Sequence, residues 1–233
     1  MRKVFLGVGH GGSDPGAVAF GRKEKDLNLA IALACEDELV RHGVSVMMSR
    51  TKDENDSLNE EIKECNAFLG KDGLAVDIHN NAGKGDGAEA FYHHGGGKGK
   101  TLAENILAEI VAIGQNSRGA KTRKNSAGKD YYGFIRETKA PAVIVECAFV
   151  DNAKDMEILD TDAECKAMGI AIAKGILKSL GIAWIAPVVA KPAAQPSGKL
   201  YRVQVGAYSV KANAENMQKK LKAAGFDAII VEV

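Results

Sequence analysis

The sequence predicts an α/β fold: a twisted, mostly parallel sheet flanked by helices, followed by a small C-terminal β-α-β segment. Three observations carry this reading. Apolar runs of strand length alternate with stretches whose apolar residues recur every three or four positions. The run from Ala142 to Glu146 is almost continuously apolar, as in a strand covered on both faces. The composition changes at residue 185, because residues 186–198 (APVVAKPAAQPSG) hold three prolines and no aromatic residue, the signature of a semi-stiff linker.

The elements follow in order. Residues 3–8 read as a buried strand that runs into a glycine-rich turn. Leu27, Ile31, Ala34, Cys35 and Leu39 share the spacing of a helix over 24–42, and Gly43 ends it. Val44 to Met48 is a second strand. Leu58, Ile62, Cys65 and Leu69 mark a helix that stops near Gly70, and Leu74 to His79 is a third strand. A fourth strand covers 88–93. Leu102, Ile106, Ile110 and Ile113 mark a further helix. After the strand at 142–146, residues 153–180 hold one or two helices, with Ala173, Ile176, Leu177 and Leu180 on one face. Beyond the linker, 200–205 and 228–233 read as strands around a helix over 211–224. The expected division is thus 1–184, a linker at 185–198, and 199–233. About 35 residues rarely bury an independent core, so the last piece must be half of something or dock on a partner.

Charge and cysteine content narrow the function. The 31 basic and 30 acidic residues leave a formal net charge of +1, which gives no broad attraction to nucleic acid or an anionic membrane. No stretch is long and apolar enough for membrane insertion. The four cysteines, Cys35, Cys65, Cys147 and Cys165, form no C-x-x-C pair. Cys35 and Cys65 lie on apolar helix stripes and read as small buried hydrophobes. The run Val4 to Val8 is too short for a secretory segment.

Four residues with ligand or acid–base chemistry fall at the ends of core elements. His10 lies in the loop GVGHGGSDPG, Glu24 opens the first helix, His79 ends the third strand, and Glu146 ends the apolar run from Ala142. Two imidazoles and a carboxylate form a common catalytic zinc set with an open position for water, and a further carboxylate can move that water's proton. Residue chemistry alone leaves alternatives: a turn residue at His10, buried polar groups at His79 and Glu146, and at Glu24 an acid that complements the helix dipole. Gly7, Gly9 and Gly12 also match G-x-G-x-x-G, the mark of a dinucleotide-binding α/β module. That motif needs a helix at its last glycine, where Ser13-Asp14-Pro15-Gly16 instead continues the turn. His42 reads as a helix C-terminal residue, and His93 and His94 as the cap of a strand or the lining of a flexible loop.

Residues 7–29 (GVGHGGSDPGAVAFGRKEKDLNL), 49–51 (SRT), 77–82 (DIHNNA) and 139–152 (KAPAVIVECAFVDN) resemble the zinc-dependent N-acetylmuramoyl-L-alanine amidases of the Amidase_3 family. The resemblance runs from about residue 3 to 180. It implies hydrolysis of the amide between the lactyl group of muramic acid and L-alanine in peptidoglycan, with Zn2+ on His10, Glu24 and His79. It also implies that Glu146 deprotonates the attacking water and protonates the departing nitrogen. This chain departs from the family at Gly7-Val8, where Asp-Pro is usual, at Glu61, where arginine is usual, and at Asn80, where a small residue is usual. Asn80 is expected either to support the metal site from behind or to face the substrate, and Asn81 to face the substrate. Residues 200–233 resemble the first half of a SPOR domain, a peptidoglycan-binding module, and the expectation is either a truncated module or a half completed by self-association. A non-catalytic wall-binding protein is the alternative, but it has no need of Glu146. The expected setting is synthesis in the cytoplasm without a signal peptide and action on the cell wall after release, as for a phage endolysin or an autolysin.

Overall fold

The computed structural model describes residues 2–187, 204–223, 226 and 228–231. The chain divides into two compact units, residues 1–186 and 187–233. In the first, β1 (Lys3–Val8) leads through the hairpin β2 (Val18–Ala19) and β3 (Arg22–Lys23) into α1 (Glu24–Arg41). Then come β4 (Ser45–Met48), α2 (Leu58–Leu69), β5 (Leu74–Asn81), β6 (Ala88–Tyr92), α3 (Lys98–Ala112) and β7 (Ser117–Lys121). The short α4 (Gly133–Glu137), β8 (Ala142–Phe149), α5 (Ala153–Met156) and α6 (Asp162–Ser179) complete it. Local chemistry sets several boundaries: reciprocal capping boxes start α2 (Ser57 with Glu60) and α6 (Thr161 with Glu164).

One six-stranded sheet has the order β4-β1-β5-β8-β6-β7. The first four strands run parallel; β6 is antiparallel to β8, and β7 is parallel to β6. The sheet separates two apolar layers. Val4, Leu6, Val76, Ile78, Val143 and Val145 pack with α1, α3 and α6 on one face. Phe5, Ala75, Phe91, Ala142 and Ile144 pack with α2 and α4 on the other. The two-residue period of a strand thus decides which layer each side chain enters.

The predicted fold is present, with additions. The hairpin, β7 and α4 were not expected, and β5 and β8 run two and three residues past their predicted ends. A bulge in β8 after Glu146 pairs His79 with Glu146 but Asn81 with Phe149. Cys35, Cys65, Cys147 and Cys165 are all buried free thiols. Among the described residues no helix is long and apolar enough to cross a membrane.

In the second unit α7 (Lys211–Ala223) forms as expected. Gln218 Nε2 donates to the Ala228 carbonyl at 2.8 Å, and the Phe226 amide to that of Leu221 at 2.9 Å. The two expected flanking strands are not seen among the described residues: Gln204, Val205 and residues 228–231 join no sheet, and residues 200–203, 232 and 233 lie outside those described. Val205, Ile229 and Val231 are exposed, as befits a segment too short to bury a core.

Candidate metal centre and active site

The parallel strands end at one edge of the sheet, and the predicted residues meet there. His10 follows β1 with φ 62°, a left-handed conformation that costs a side-chain-bearing residue about 1 kcal/mol. The loop is tied down on all sides. Arg50, only 2% exposed, donates to the carbonyls of Val8, Gly9, Lys25 and Lys52. Lys25 donates to the Gly12 carbonyl at 2.8 Å and to Asp53 at 2.7 Å. Gly16 has to be glycine twice over: its φ is 62°, and a Cβ there would lie 2.6 Å from Glu24 Oε2 and 2.7 Å from the His10 ring. Gly9 has no room either, since a Cβ would overlap the His79 imidazole.

Glu24, at the first turn of α1 and 4% exposed, stands between the two histidines. Its Oε2 is 3.1 Å from His10 Nε2 and its Oε1 is 3.2 Å from His79 Nδ1. The amides of Ala17 and Asn80 donate to it at 3.0 and 3.1 Å. Each imidazole also has an outer carboxylate: Asp14 Oδ2 lies 2.8 Å from His10 Nδ1, and Asp77 Oδ2 lies 3.2 Å from His79 Nε2. Ligand atoms of His10, Glu24 and His79 all fall within 4.8 Å of one another. In this arrangement one nitrogen of each ring faces Glu24, where a shared cation would be held, while the other is braced by an outer carboxylate, the usual support of a metal-binding histidine.

The electrostatics favour positive charge at the centre. The hydrogen bond to Glu24 raises the pKa of His10. Burial opposes a charge on His79, yet Asp77 and Glu24 outweigh it and push its pKa well up. Burial likewise opposes ionisation of Glu24, but the two imidazoles hold it well below the usual carboxylate range. Two nitrogens and one carboxylate oxygen with these outer partners fit a three-ligand zinc site.

Glu146 is the direct neighbour of His79 across β5 and β8. Its Oε2 is buried with no hydrogen-bond partner among the described residues. Burial is the largest influence on it, with the charges of Glu24, Asp77 and Glu89 adding to it against His79, and its pKa is raised to about 7. A carboxylate in this state both accepts and returns a proton near neutrality.

The two asparagines part company. Asn80 is 2% exposed and donates to Asn28 Oδ1 of α1 at 2.8 Å, because strand alternation turns it away from the face that carries His79. It offers a substrate no surface, so of its two expected roles the structure favours support from behind: Asn28, which it holds, lies 3.4 Å from Glu24. Asn81 stays on the His79 face and donates to Glu89 at 2.9 Å. Glu61, at the family's usual arginine position, is buried beside Asp77, whose charge adds to burial in raising its pKa well up; one oxygen of each lacks a partner. His42 is structural as expected: its Nδ1 pairs with the Glu38 carbonyl and its Nε2 accepts from the Ile185 amide. His93, His94 and Asp130 form a second, more exposed group with metal-ligand chemistry. There His93 Nδ1 already accepts from the Gly95 amide, which favours its Nε2–H donating to Asp130 over binding a cation.

A family model described as N-acetylmuramoyl-L-alanine amidase, Amidase_3, matches residues 4–178. The chain belongs to this amidase family. A SPOR domain model matches residues 173–232. The N-acetylmuramoyl-L-alanine amidase CwlM of Bacillus licheniformis is 35% identical over 235 residues, covering 99% of this chain and 85% of that protein. The sporulation-specific N-acetylmuramoyl-L-alanine amidase of Bacillus subtilis is 34% identical with the same coverage. Among solved structures, Cwp6 from Clostridium difficile superposes with a TM-score of 0.74 at 38% identity, over 77% of this chain and 29% of that one. The sheet and its flanking helices are therefore the family's fold, and the cluster built on His10, Glu24 and His79 lies within the matched residues.

Proposed function

We propose that this amidase hydrolyses the bond between the lactyl carbonyl of N-acetylmuramic acid and L-alanine in peptidoglycan, with zinc held by His10, Glu24 and His79 and with Glu146 as its acid–base residue. The single observation that carries the assignment of roles is the adjacency of two unlike sites: a cation-favouring cluster and, one strand away, a carboxyl tuned to about 7. When bound, zinc supplies Lewis acidity that polarises a carbonyl and acidifies water. Glu146 in its ionised form removes a proton from the attacking water. It then returns that proton to the alanine nitrogen, so the amine leaves neutral. Asp14 and Asp77 hold the two imidazoles in the required tautomers. Arg50 and Lys25 fix the loop that presents His10. In this reading Asn81, beside Glu89 on the same face, meets the substrate.

The SPOR match at residues 173–232 supports wall binding by the C-terminal unit, and its exposed Val205, Ile229 and Val231 are consistent with completion by a second copy. The test of the catalytic roles uses a soluble muramoyl peptide. Chelation should abolish turnover and zinc restore it, while Glu146→Gln should retain zinc yet lose activity by about 10²- to 10⁴-fold. Normal turnover by Glu146→Gln would remove Glu146 from the mechanism.

A further inference from the structure

Glu89 is Glu146's neighbour on the other side, paired with it across β6 and β8. It is 6% exposed and serves two cations. Its Oε2 accepts from Arg118 Nε at 2.9 Å and from Lys121 Nζ at 2.5 Å, and its Oε1 accepts from Asn81. These cations, set against the cost of burial, hold its carboxyl below the usual range. One cation neutralises one buried carboxylate, so the trio carries an excess positive charge. It also carries unused donors. Among the described residues Arg118 gives the protein only its Nε–H, leaving the outer fork of its guanidinium uncommitted, and Lys121 uses one of three N–H bonds. Both side chains are more than a third exposed. The guanidinium carbon of Arg118 lies 5.1 Å from the centre of the buried Phe149 ring, over its face, which fixes the side chain's direction.

The position of the trio gives it meaning. His79, Glu146, Glu89 and the Arg118–Lys121 pair come from four neighbouring strands, β5, β8, β6 and β7. Strands lie about 4.8 Å apart, so the β7 backbone that carries the cations is roughly 10 Å from that of Glu146 on the side away from His79, and the cationic groups reach back to Glu89, one strand from Glu146. In the reaction proposed above, the carbonyl is on the His79 side and the leaving amine on that of Glu146. The peptide attached to that amine therefore extends toward β7.

We propose that Arg118 and Lys121, anchored on Glu89, form a subsite for a carboxylate of the stem peptide on the leaving-amine side of the scissile bond. The proposal rests on the amidase reading. Glu89 sets the direction of both side chains, and the free guanidinium fork matches a carboxylate's two oxygens. A reach of one to two strand spacings, roughly 5–10 Å, corresponds to the second or third residue of an extended peptide at about 3.4 Å per residue.

The test compares muramoyl peptides whose stem carboxylates are free with otherwise identical ones in which they are carboxamides. The wild-type enzyme should favour the free acid by about tenfold or more in kcat/KM. Arg118→Gln and Lys121→Gln should each erase most of that preference, chiefly through KM, with zinc content unchanged. Arg118→Lys should restore part of it, and Lys100→Gln on the exposed face of α3 should leave it intact. Each single variant keeps one cation on Glu89, so folding should survive. A measurement on the wild type alone adds a safeguard: rising salt should weaken turnover of the acid and spare the amide. Equal turnover of both substrates by the wild type, or an unchanged preference in both glutamine variants, would overturn the subsite. Cleavage of neither substrate would instead bring down the amidase reading beneath it.

Discussion

At the scale of residues, the site is a set of charges kept in tension. The raised pKa of Glu146, near 7 against an ordinary value of 4.5, has a consequence for stability. A carboxyl whose folded pKa is raised contributes its full stability below the unfolded pKa and loses it as pH rises through the folded value. For Glu146 that window runs from about pH 4.5 to about pH 7, and the loss is roughly 3 kcal/mol. In chelator, Glu146→Gln should thus melt above the wild type at pH 8 and close to it at pH 4.5. A difference that does not vary with pH would contradict the burial argument. Asp14 and Asp77 each brace an imidazole, so Asp14→Ala and Asp77→Asn should each lower zinc affinity by about 10- to 100-fold in a chelator competition. Affinity unchanged in both would show that the bracing is idle. His79 and Glu146 were legible in the sequence because each closes an apolar strand. Glu24 was not, since an acid at a helix start reads as a dipole complement; only the surrounding motif marked it. Arg50 and Asp77 stand in the SRT and DIHNNA motifs, but their supporting roles were not legible there, because burial of a charged residue is set by loops and neighbours far away in sequence.

At the scale of elements, the sheet edge that gathers the site depends on how closely α6 packs. Gly169 faces α1 and Gly175 faces α3, and a Cβ at either would collide with the backbone of Ile31 or Ile106. Backbone cannot swing aside as a side-chain tip can. Gly169→Ala and Gly175→Ala should each cost about 1–3 kcal/mol in urea unfolding. The six-residue separation, about 9 Å along the helix, should make the two costs nearly additive. Stabilisation by either alanine, as helix propensity alone would give, would refute the close approach. The same elements show why the sequence was legible only in part. The parallel strands and long helices have strong apolar periodicity. β7 reads SRGAK, with two cations turned to Glu89, and α4 has only five residues, so neither presents a pattern to find.

At the scale of the molecule, the first unit has its own two-layered core, whereas the described part of the second is largely exposed. A chain ending at residue 186 should keep the melting temperature of the first unit and its turnover of a soluble muramoyl peptide. It should lose retention on insoluble walls if the SPOR-like unit is the anchor, as a pull-down with isolated walls would show. Equal retention by the shortened chain would place wall binding in the first unit. Mass spectrometry of digested peptidoglycan identifies the bond that is cut. New free L-alanine amino groups, without new reducing sugar ends and only when zinc is present, are the predicted result. New reducing ends, or the same amino groups released by the Glu146→Gln variant, would contradict it.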